Sequence, residues 1–361
     1  MMPDAAHQKA TSVASAHTYV VLLNWNGWRD TIECVASLLQ MTAKCYTIVI
    51  CDNASTDGSY QHILEWLRQE ASSYTEAGRF FTEWQTASPA AGSPAARIVL
   101  VQTASNLGFA GGCNVGLRYG LERGDGEYFW LLNNDTVVDP MALAAQIDKM
   151  ESDPQLGITG STLLFYDEPD VVQCCAGYGF NFWTARVRPA AEVVARNRLP
   201  EETAVEEKLR FVSGASMFVR RCFLEKVGLM NEQYFLYFEE IDWTTRAKGL
   251  FKLGYCSVSR VFHKEGSSIG SNRDRLKRSA FSERYLSRNR VLFTRTHFPL
   301  RLPIVFTWTI FVALSRILRG NLALAKAVFS GAASGIFASR YIPERVGLST
   351  RGAFGNNKKH E

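Results

Sequence analysis

Tyr128-Phe129-Trp130-Leu131-Leu132-Asn133-Asn134-Asp135 decides the fold of this chain. Five apolar residues run unbroken into two amides and a carboxylate, and Thr136-Val137-Val138-Asp139-Pro140 follows. An uninterrupted apolar run of this length fits a strand covered on both faces of a sheet. In open α/β sheets, ligands collect outside the carboxyl ends of such strands. Asp135, delivered there beside Asn133 and Asn134, is placed to hold a hard divalent cation against the phosphates of a ligand.

Working outward, the first half of the chain repeats the same unit. Tyr19-Val20-Val21-Leu22-Leu23 and Tyr46-Thr47-Ile48-Val49-Ile50-Cys51 read as buried strands, and 97–101 reads as another. Helical patterns at 31–40, 58–70, 111–122 and 141–150 fall between and after them. Asp30 and Glu33 have the spacing of a capping box at the start of the first. The segment 71–97, rich in Ala, Ser, Gly and Pro, reads as a surface insertion. Regular alternation predicts an α/β fold with a Rossmann-like, mostly parallel sheet flanked by helices. Farther on, strand-like 209–220, helical 239–250 and strand-like 255–263 predict a mixed continuation of that sheet. The expected organisation is a flexible N-terminal tail over 1–17, one catalytic domain over 18–270 and a basic, apolar helical extension over 271–361.

The 361 residues are 47% hydrophobic and 21% charged, an ordinary globular composition that can bury a full core. Eight cysteines are scattered without Cys-x-x-Cys spacing, and the vicinal pair Cys174-Cys175 suits neither a zinc site nor an easy disulfide. They are expected to be reduced thiols of a cytoplasmic protein, since residues 1–17 lack the basic start and apolar stretch of a secretory signal. The net charge of +5 is regional: 260–301 holds eleven Lys/Arg against three Asp/Glu. Directly after it, 302–315 is uncharged and contains Trp308. That stretch is shorter than the about twenty apolar residues a spanning helix needs. A basic segment beside an apolar, Trp-bearing helix fits a helix lying in the interface of an anionic membrane, here its inner face. A buried core helix with a solvated basic neighbour is the alternative, and no nucleic-acid partner is expected.

The strand ends carry three polar clusters: Asn24-Trp25-Asn26-Gly27, Asp52-Asn53-Ala54-Ser55-Thr56-Asp57-Gly58 and Asn133-Asn134-Asp135. Three at one sheet edge make a binding site more readily than three turns. The first strand leads into Asn-Trp-Asn-Gly without the Gly-x-Gly-x-x-Gly of a dinucleotide-binding domain. The stretch Asn106-Leu107-Gly108-Phe109-Ala110-Gly111-Gly112-Cys113-Asn114 can bring backbone amides to a ligand, or simply cap a helix.

On these clusters, together with Phe238-Glu239-Glu240-Ile241-Asp242-Trp243 and His263, the chain resembles family 2 glycosyltransferases of the GT-A fold, in the subgroup that includes bacterial rhamnosyltransferase-like enzymes. The blocks follow the family's order across 18–270. The resemblance implies inverting transfer of a hexose from a nucleoside diphosphate sugar, dTDP-rhamnose-like or a UDP-sugar, to a hydroxyl. The acceptor implied is a glycan or lipid-linked glycan in cell-surface polysaccharide assembly, with Mg²⁺ or Mn²⁺ as cofactor.

Residue by residue, Asp135 matches the metal-binding aspartate of the family's Asp-x-Asp element, with Asn133 in place of the first aspartate. His263 matches a further metal ligand of some relatives, although a lone histidine is often structural. Asn24, Trp25, Asn26, Asp52 and Asn53 match the nucleoside side of the donor site, and Asn106, Gly108, Gly112, Asn114 and Asn134 complete it. Glu239-Glu240 matches the acidic pair, Glu240 as general base, with Glu239 or Asp242 as alternatives. Such a base contributes roughly 10²–10⁴-fold, while a solvated acidic helix start is the plain alternative. A sugar-1-phosphate nucleotidyltransferase and a non-catalytic carbohydrate-binding or scaffold protein are the rival functions.

Overall fold

The apolar runs become the middle of one large sheet because both of their faces are covered. The computed structural model describes residues 16–76, 81–86, 97–191, 195–264 and 279–339, with 71–76 and 81–86 described as backbone alone. Strand β1 (His17–Asn24) lies between β2 (Tyr46–Asp52) and β6 (Gly126–Asn133), parallel to both, and β5 (Arg97–Gln102) continues in parallel beyond β2. Helices α1 (Trp28–Leu39), α2 (Ser59–Glu70) and α3 (Gly108–Arg123) make the crossovers, and α4 (Ala142–Ser152) follows. Within each featureless run the side chains alternate. Tyr19, Val21, Val49 and Leu131 enter the core beneath α3, while Val20, Leu22, Ile48 and Leu132 enter the core beneath α1 and α2.

Antiparallel strands extend this parallel centre in both directions. On one side β13 (Ser216–Arg220) separates β6 from β8 (Leu156–Phe165), antiparallel to both. Beyond β8 come β14 (Lys252–His263), parallel to it, and β7 (Thr136–Val138), with β9 (Val172–Cys175) also on β8. On the other side β3 (Ala71–Glu76) and β4 (Phe81–Thr86) pair onto β5, giving eleven strands. Part of the segment expected to be a surface insertion is therefore sheet edge, while 77–80 and 87–96 lie outside the described residues. The strand expected over 209–220 is two, β12 (Phe211–Val212) and β13, broken at Ser213-Gly214-Ala215. β12 belongs to a small antiparallel sheet with β10 (Gly177–Asn181) and β11 (Arg186–Pro189).

Short helices α5 (Glu202–Glu206), α6 (Arg221–Val227) and α7 (Glu239–Arg246) precede the C-terminal extension of α8 (Ala280–His297), α9 (Leu302–Leu318) and α10 (Leu322–Phe337). Helix α10 sits against α8 at backbone contact, because a Cβ on Gly331 or Gly335 would strike the carbonyl oxygens of Arg284 and Arg288. A separate apolar cluster joins Phe180, Phe211, Phe238 and Ile241 to Leu292, Phe293 and Val305. The extension is thus packed onto the body of the molecule. The expected boundary at 270 lies in 265–278, outside the described residues, as do 1–15 of the N-terminal tail, whereas His17 already begins β1. Among the described residues one helical segment, Pro299–Leu318, is long and apolar enough to cross a membrane by length and composition. It is longer than the uncharged stretch 302–315 because the helix starts at Pro299 and runs on to Leu318, taking in Arg301 and Arg316.

Candidate active site

Register brings the strand ends together. Asn24 stands opposite Asp52, and Leu23 opposite Asn133, so the ends of β1, β2 and β6 form one continuous edge. Asn24 is the hub of that edge and is fully buried. Its Nδ2 donates to Asp52 Oδ1 at 2.8 Å and Ser55 Oγ at 3.1 Å, and its Oδ1 accepts from Thr31 Oγ1 at 2.9 Å and Asn134 Nδ2 at 3.3 Å. Asn134 also donates to Thr31 Oγ1 at 2.9 Å. Asp52 Oδ2 receives the Ser55 N–H and the Gln102 amide, both at 3.3 Å. Asn26, at φ 54°, accepts the Thr56 N–H at 2.8 Å and so ties the first loop to the second. Trp25 stands out of this network, 37% exposed, with its aromatic ring open to solvent.

The glycine-rich loop is built differently from its sequence expectation. Asn53 Nδ2 donates to Asn106 Oδ1 at 3.0 Å and to the Gly108 carbonyl at 3.1 Å, which locks the loop to the end of β2. Gly108 has φ +72°, and a Cβ there would run into the Phe235 carbonyl oxygen, which accepts the Phe109 N–H at 2.6 Å. Gly112 faces inward, where a Cβ would strike the Leu23 side chain, because α3 packs directly on β1. Asn114 is fully buried and clamps Met230, giving its Nδ2 to the Met230 carbonyl at 2.9 Å and accepting the Met230 N–H at 3.1 Å. Gly112 and Asn114 are therefore packing and tethering residues, and the loop's contact is with Phe235.

The two residues expected to hold a metal, Asp135 and His263, come together. Asp135 Oδ1 lies 3.2 Å from His263 Nε2, and His263 Nδ1 lies 3.0 Å from Gln173 Oε1. An imidazole that gives Nδ1–H to a carbonyl turns a lone pair at Nε2 toward its other neighbour, the usual second-sphere arrangement of a metal-bound histidine. Here that neighbour is a carboxylate oxygen, and a carboxylate and an imidazole lone pair at this separation could share a cation. One carboxylate and one imidazole suit a divalent ion that takes its remaining ligands from phosphates and water. No cluster of three or more His, Cys, Asp or Glu ligands occurs among the described residues. Asn133 Nδ2 is 3.5 Å from the same His263 nitrogen. Asp30 and Glu33 do not cap α1, whose N-cap is Gly27 without a side-chain bond. They hold Lys264 Nζ at 2.6 and 2.5 Å, beside Asp135 and His263, because the Lys264 N–H is bonded to the Asp135 carbonyl.

The acid pair enters at the start of α7 from a strained loop. Phe235, Tyr237 and Phe238 have φ of 57°, 69° and 77°, conformations costing about 1–3 kcal/mol each for such side chains. Glu239 is buried, with an Oε2 that has no hydrogen-bond partner among the described residues. Burial drives its carboxyl well above the ordinary range and Glu240 adds to this, although the N–H groups of Glu239 and Tyr237 pull the other way. Burial also raises Glu240, to about 6, against the pull of the Glu240 and Gly214 N–H groups. Both carboxyls are raised and Glu239, with Glu240 beside it, is raised further, so Glu240 is the member of the pair that gives up its proton more readily. Asp242 is turned into the interior, its oxygens taken by Tyr234 (3.1 Å), His297 (2.7 Å) and Arg246 (2.9 Å), which removes it as a base. Glu240 lies on Gly214, where a Cβ would come within 2.6 Å of its Oε1. The carbonyl of the next residue, Ala215, accepts the Asn133 N–H at 3.1 Å, so Gly214 and Ala215 link Glu240 to the end of β6. Thr31, Gln173 and Lys264 have no sequence signal of their own, since their roles depend on partners far along the chain.

A curled mixed sheet flanked by helices, with a helical extension at its C-terminal end, is the architecture of the GT-A fold. The family model described as glycosyltransferase-like family 2 matches residues 16–282, and the chain belongs to that family, a glycosyltransferase by class. The low-salt glycan biosynthesis hexosyltransferase Agl10 of Haloferax volcanii is 24% identical over 166 residues, 46% of this chain and 51% of that protein, so the match spans about half its length. A putative glycosyltransferase, EpsE of Bacillus subtilis, is 23% identical over 79% of this chain and 83% of its own. Among solved structures, the mannosyltransferase PcManGT of Pyrobaculum calidifontis, in complex with GDP-mannose and Mn²⁺, superposes with a TM-score of 0.50 at 12% identity, covering 92% of this chain and 94% of its own. GalNAc-T7, with UDP, GalNAc and Mn²⁺, gives 0.53 at 13% identity over 78% of this chain and 48% of its own.

Proposed function

We propose that the protein is a metal-dependent, inverting hexosyltransferase that moves a sugar from a nucleoside diphosphate to a hydroxyl of a glycan or lipid-linked glycan. The observation behind this reading is the placement of Glu240 on Gly214, one residue from the carbonyl that fixes Asn133. With Glu240 as the base, that placement would bring it next to the strand end that bears Asp135. In the proposed step the Glu240 carboxylate takes the acceptor hydroxyl proton as that oxygen bonds to the anomeric carbon. The bond from the anomeric carbon to the diphosphate breaks on the opposite face, which inverts the centre. Asp135 and His263 would hold the Mg²⁺ or Mn²⁺, which neutralises charge on the departing diphosphate when bound. Lys264, clamped by Asp30 and Glu33, adds positive charge nearby. Trp25 would stack on the base, with Asp52 and Asn53 supporting the ribose side.

The donors proposed are dTDP-rhamnose-like sugars and UDP-sugars, with GDP added by the likeness to PcManGT. Calorimetry of dTDP, UDP and GDP, each with and without Mn²⁺, followed by transfer assays with the matching sugars, tests this. Metal-dependent binding of one nucleotide and sugar transfer from its donor is the expected result. Release of pyrophosphate from a nucleoside triphosphate would favour a nucleotidyltransferase, and glycan binding without turnover a non-catalytic module.

The protein is further proposed to work in the cytoplasm as a peripheral enzyme on the inner face of the cell membrane. Helix α9 exposes Phe311, Leu314 and Leu318 at 59%, 48% and 88%, and α10 exposes Phe337 at 85%. Beside them Trp183 is exposed under the Arg301 guanidinium at 4.3 Å, and Arg186 lies over Trp308 at 5.4 Å. Apolar and aromatic groups ringed by arginines suit an anionic interface. Flotation with anionic vesicles, compared for wild type and a Phe311→Ser/Leu314→Ser variant, tests it: equal flotation would discard this surface.

A further inference from the structure

We infer that Asn289, on the C-terminal helix α8, is a positioning residue that sets the Glu239–Glu240 carboxylates through the backbone of the loop before them. The inference rests on the reading of that pair as the catalytic acids. Asn289 is fully buried, and its Nδ2 lies 2.6, 2.8 and 2.9 Å from the carbonyl oxygens of Tyr234, Leu236 and Tyr237. An amide has two N–H donors, so three carbonyls share two hydrogens. Arg288 Nη1 donates to Asn289 Oδ1 at 2.7 Å, which fixes the amide's orientation, and to the Gln233 carbonyl at 2.7 Å. The left-handed residues Phe235 and Tyr237 are what turn the three carbonyls toward one nitrogen.

The path to the acids is short. The Leu236–Tyr237 peptide has its C=O on Asn289 and its N–H on the Glu239 carboxyl. Rotating that peptide moves both ends at once. The same helix holds the far side of the pair, where His297 Nε2 meets Asp242 Oδ1 at 2.7 Å. Helix α8 therefore grips the chain both before and after Glu239 and Glu240, and the three strained aromatics stay in place because a distant helix specifies them.

The test compares Asn289→Asp, which keeps the shape and replaces the donor by an acceptor, and Asn289→Ala with Val328→Ala. Val328 is fully buried in α10, so its truncation destabilises the extension without touching the loop. Initial rates give kcat and the donor KM, and hydrogen exchange reports the amides of 235–242. Misplacing a reacting group by about 1 Å can cost ~10²-fold. The expected result is a kcat loss of that order in both Asn289 variants at an unchanged donor KM, with faster exchange confined to 235–242. Val328→Ala should lower Tm and keep kcat. Losses in the Asn289 variants no greater than in Val328→Ala, or exchange that rises evenly over α8–α10, would overturn the inference. Should neither Asn289 variant fold, Arg288→Met, which frees the amide's Oδ1 and the Gln233 carbonyl, must show a smaller kcat loss of the same pattern or the inference fails. A wild-type protein that transfers no sugar removes the catalytic reading, while the exchange comparison still decides whether Asn289 holds the loop.

Discussion

The donor edge and the acid pair solve the same problem in opposite ways. At the edge of β1 and β2, Asn24, Asp52, Asn134, Thr31 and Ser55 satisfy one another, and the polar groups are locked by their immediate neighbours. At Glu239 and Glu240 the local structure is unfavourable: three aromatic residues in left-handed conformations, an unpartnered buried oxygen and two raised carboxyls. A binding surface can be rigid at low energy, whereas a general base near neutral pH requires an environment that disfavours its charge. The first region stabilises itself, and the second is stabilised from outside.

The largest expected effect falls on the second region. Glu240→Gln should lower transfer by roughly 10²–10⁴-fold with nucleotide binding intact in calorimetry. Unchanged turnover would shift the base elsewhere. In the wild type, the base must be ionised, so kcat/KM should fall as pH drops through about 6. A flat profile across that value would separate Glu240 from the proton transfer.

Next come Asp135 and His263, proposed to hold the metal between the two regions. Asp135→Ala should abolish the gain in nucleotide affinity on adding Mn²⁺, measured by titration calorimetry. A metal dependence equal to wild type would exclude Asp135 as a ligand.

On the donor side the expected effects are stability effects first. Asn24→Ala leaves Asp52, Thr31 and Asn134 each short of a buried partner, at about 1–3 kcal/mol for an unsatisfied group. Thermal denaturation should show a lowered Tm together with weakened nucleotide binding. A Tm at the wild-type value would mean that the network is not the scaffold described here.

The smallest effect concerns the resting cost of the acids. Both carboxyls are raised above their ordinary value of 4.5, so the folded protein keeps protons that the unfolded chain has released. For Glu240, stability is present in full below 4.5 and declines as pH rises through about 6. Glu240→Gln should flatten that decline in denaturant titrations taken across this range. Glu239→Gln imitates the protonated acid and should shift Tm little at neutral pH.

The same contrast governs how much could be seen in the sequence. Unbroken apolar runs ending in Asn24, Asp52 and Asn133 gave away both the strands and the edge they share, since strand ends in parallel register must meet. The antiparallel strands at 71–76 and 81–86 were hidden in a composition rich in Ala and Ser. Gly112 and Asn114 sit in a motif that suggests a ligand, yet they serve packing against Leu23 and a tether to Met230. Asp30 and Glu33 matched a local capping pattern, while a lysine more than two hundred residues away captured them. Nothing in the run Tyr234 to Phe238 hints at left-handed backbone, because that conformation ordinarily announces itself with Gly or Asn. Local spacing encodes local structure, and the acid pair depends on partners on α8.

Asp242 also bears on how such enzymes can be recombined. Its charge is buried, and one of its three partners, His297, comes from the far end of α8. A chimera that grafts a foreign tail after the catalytic sheet would inherit a buried carboxylate with one partner missing. The tail of this enzyme is therefore no interchangeable module, and exchanging it between relatives succeeds only when residues 289 and 297 travel with it.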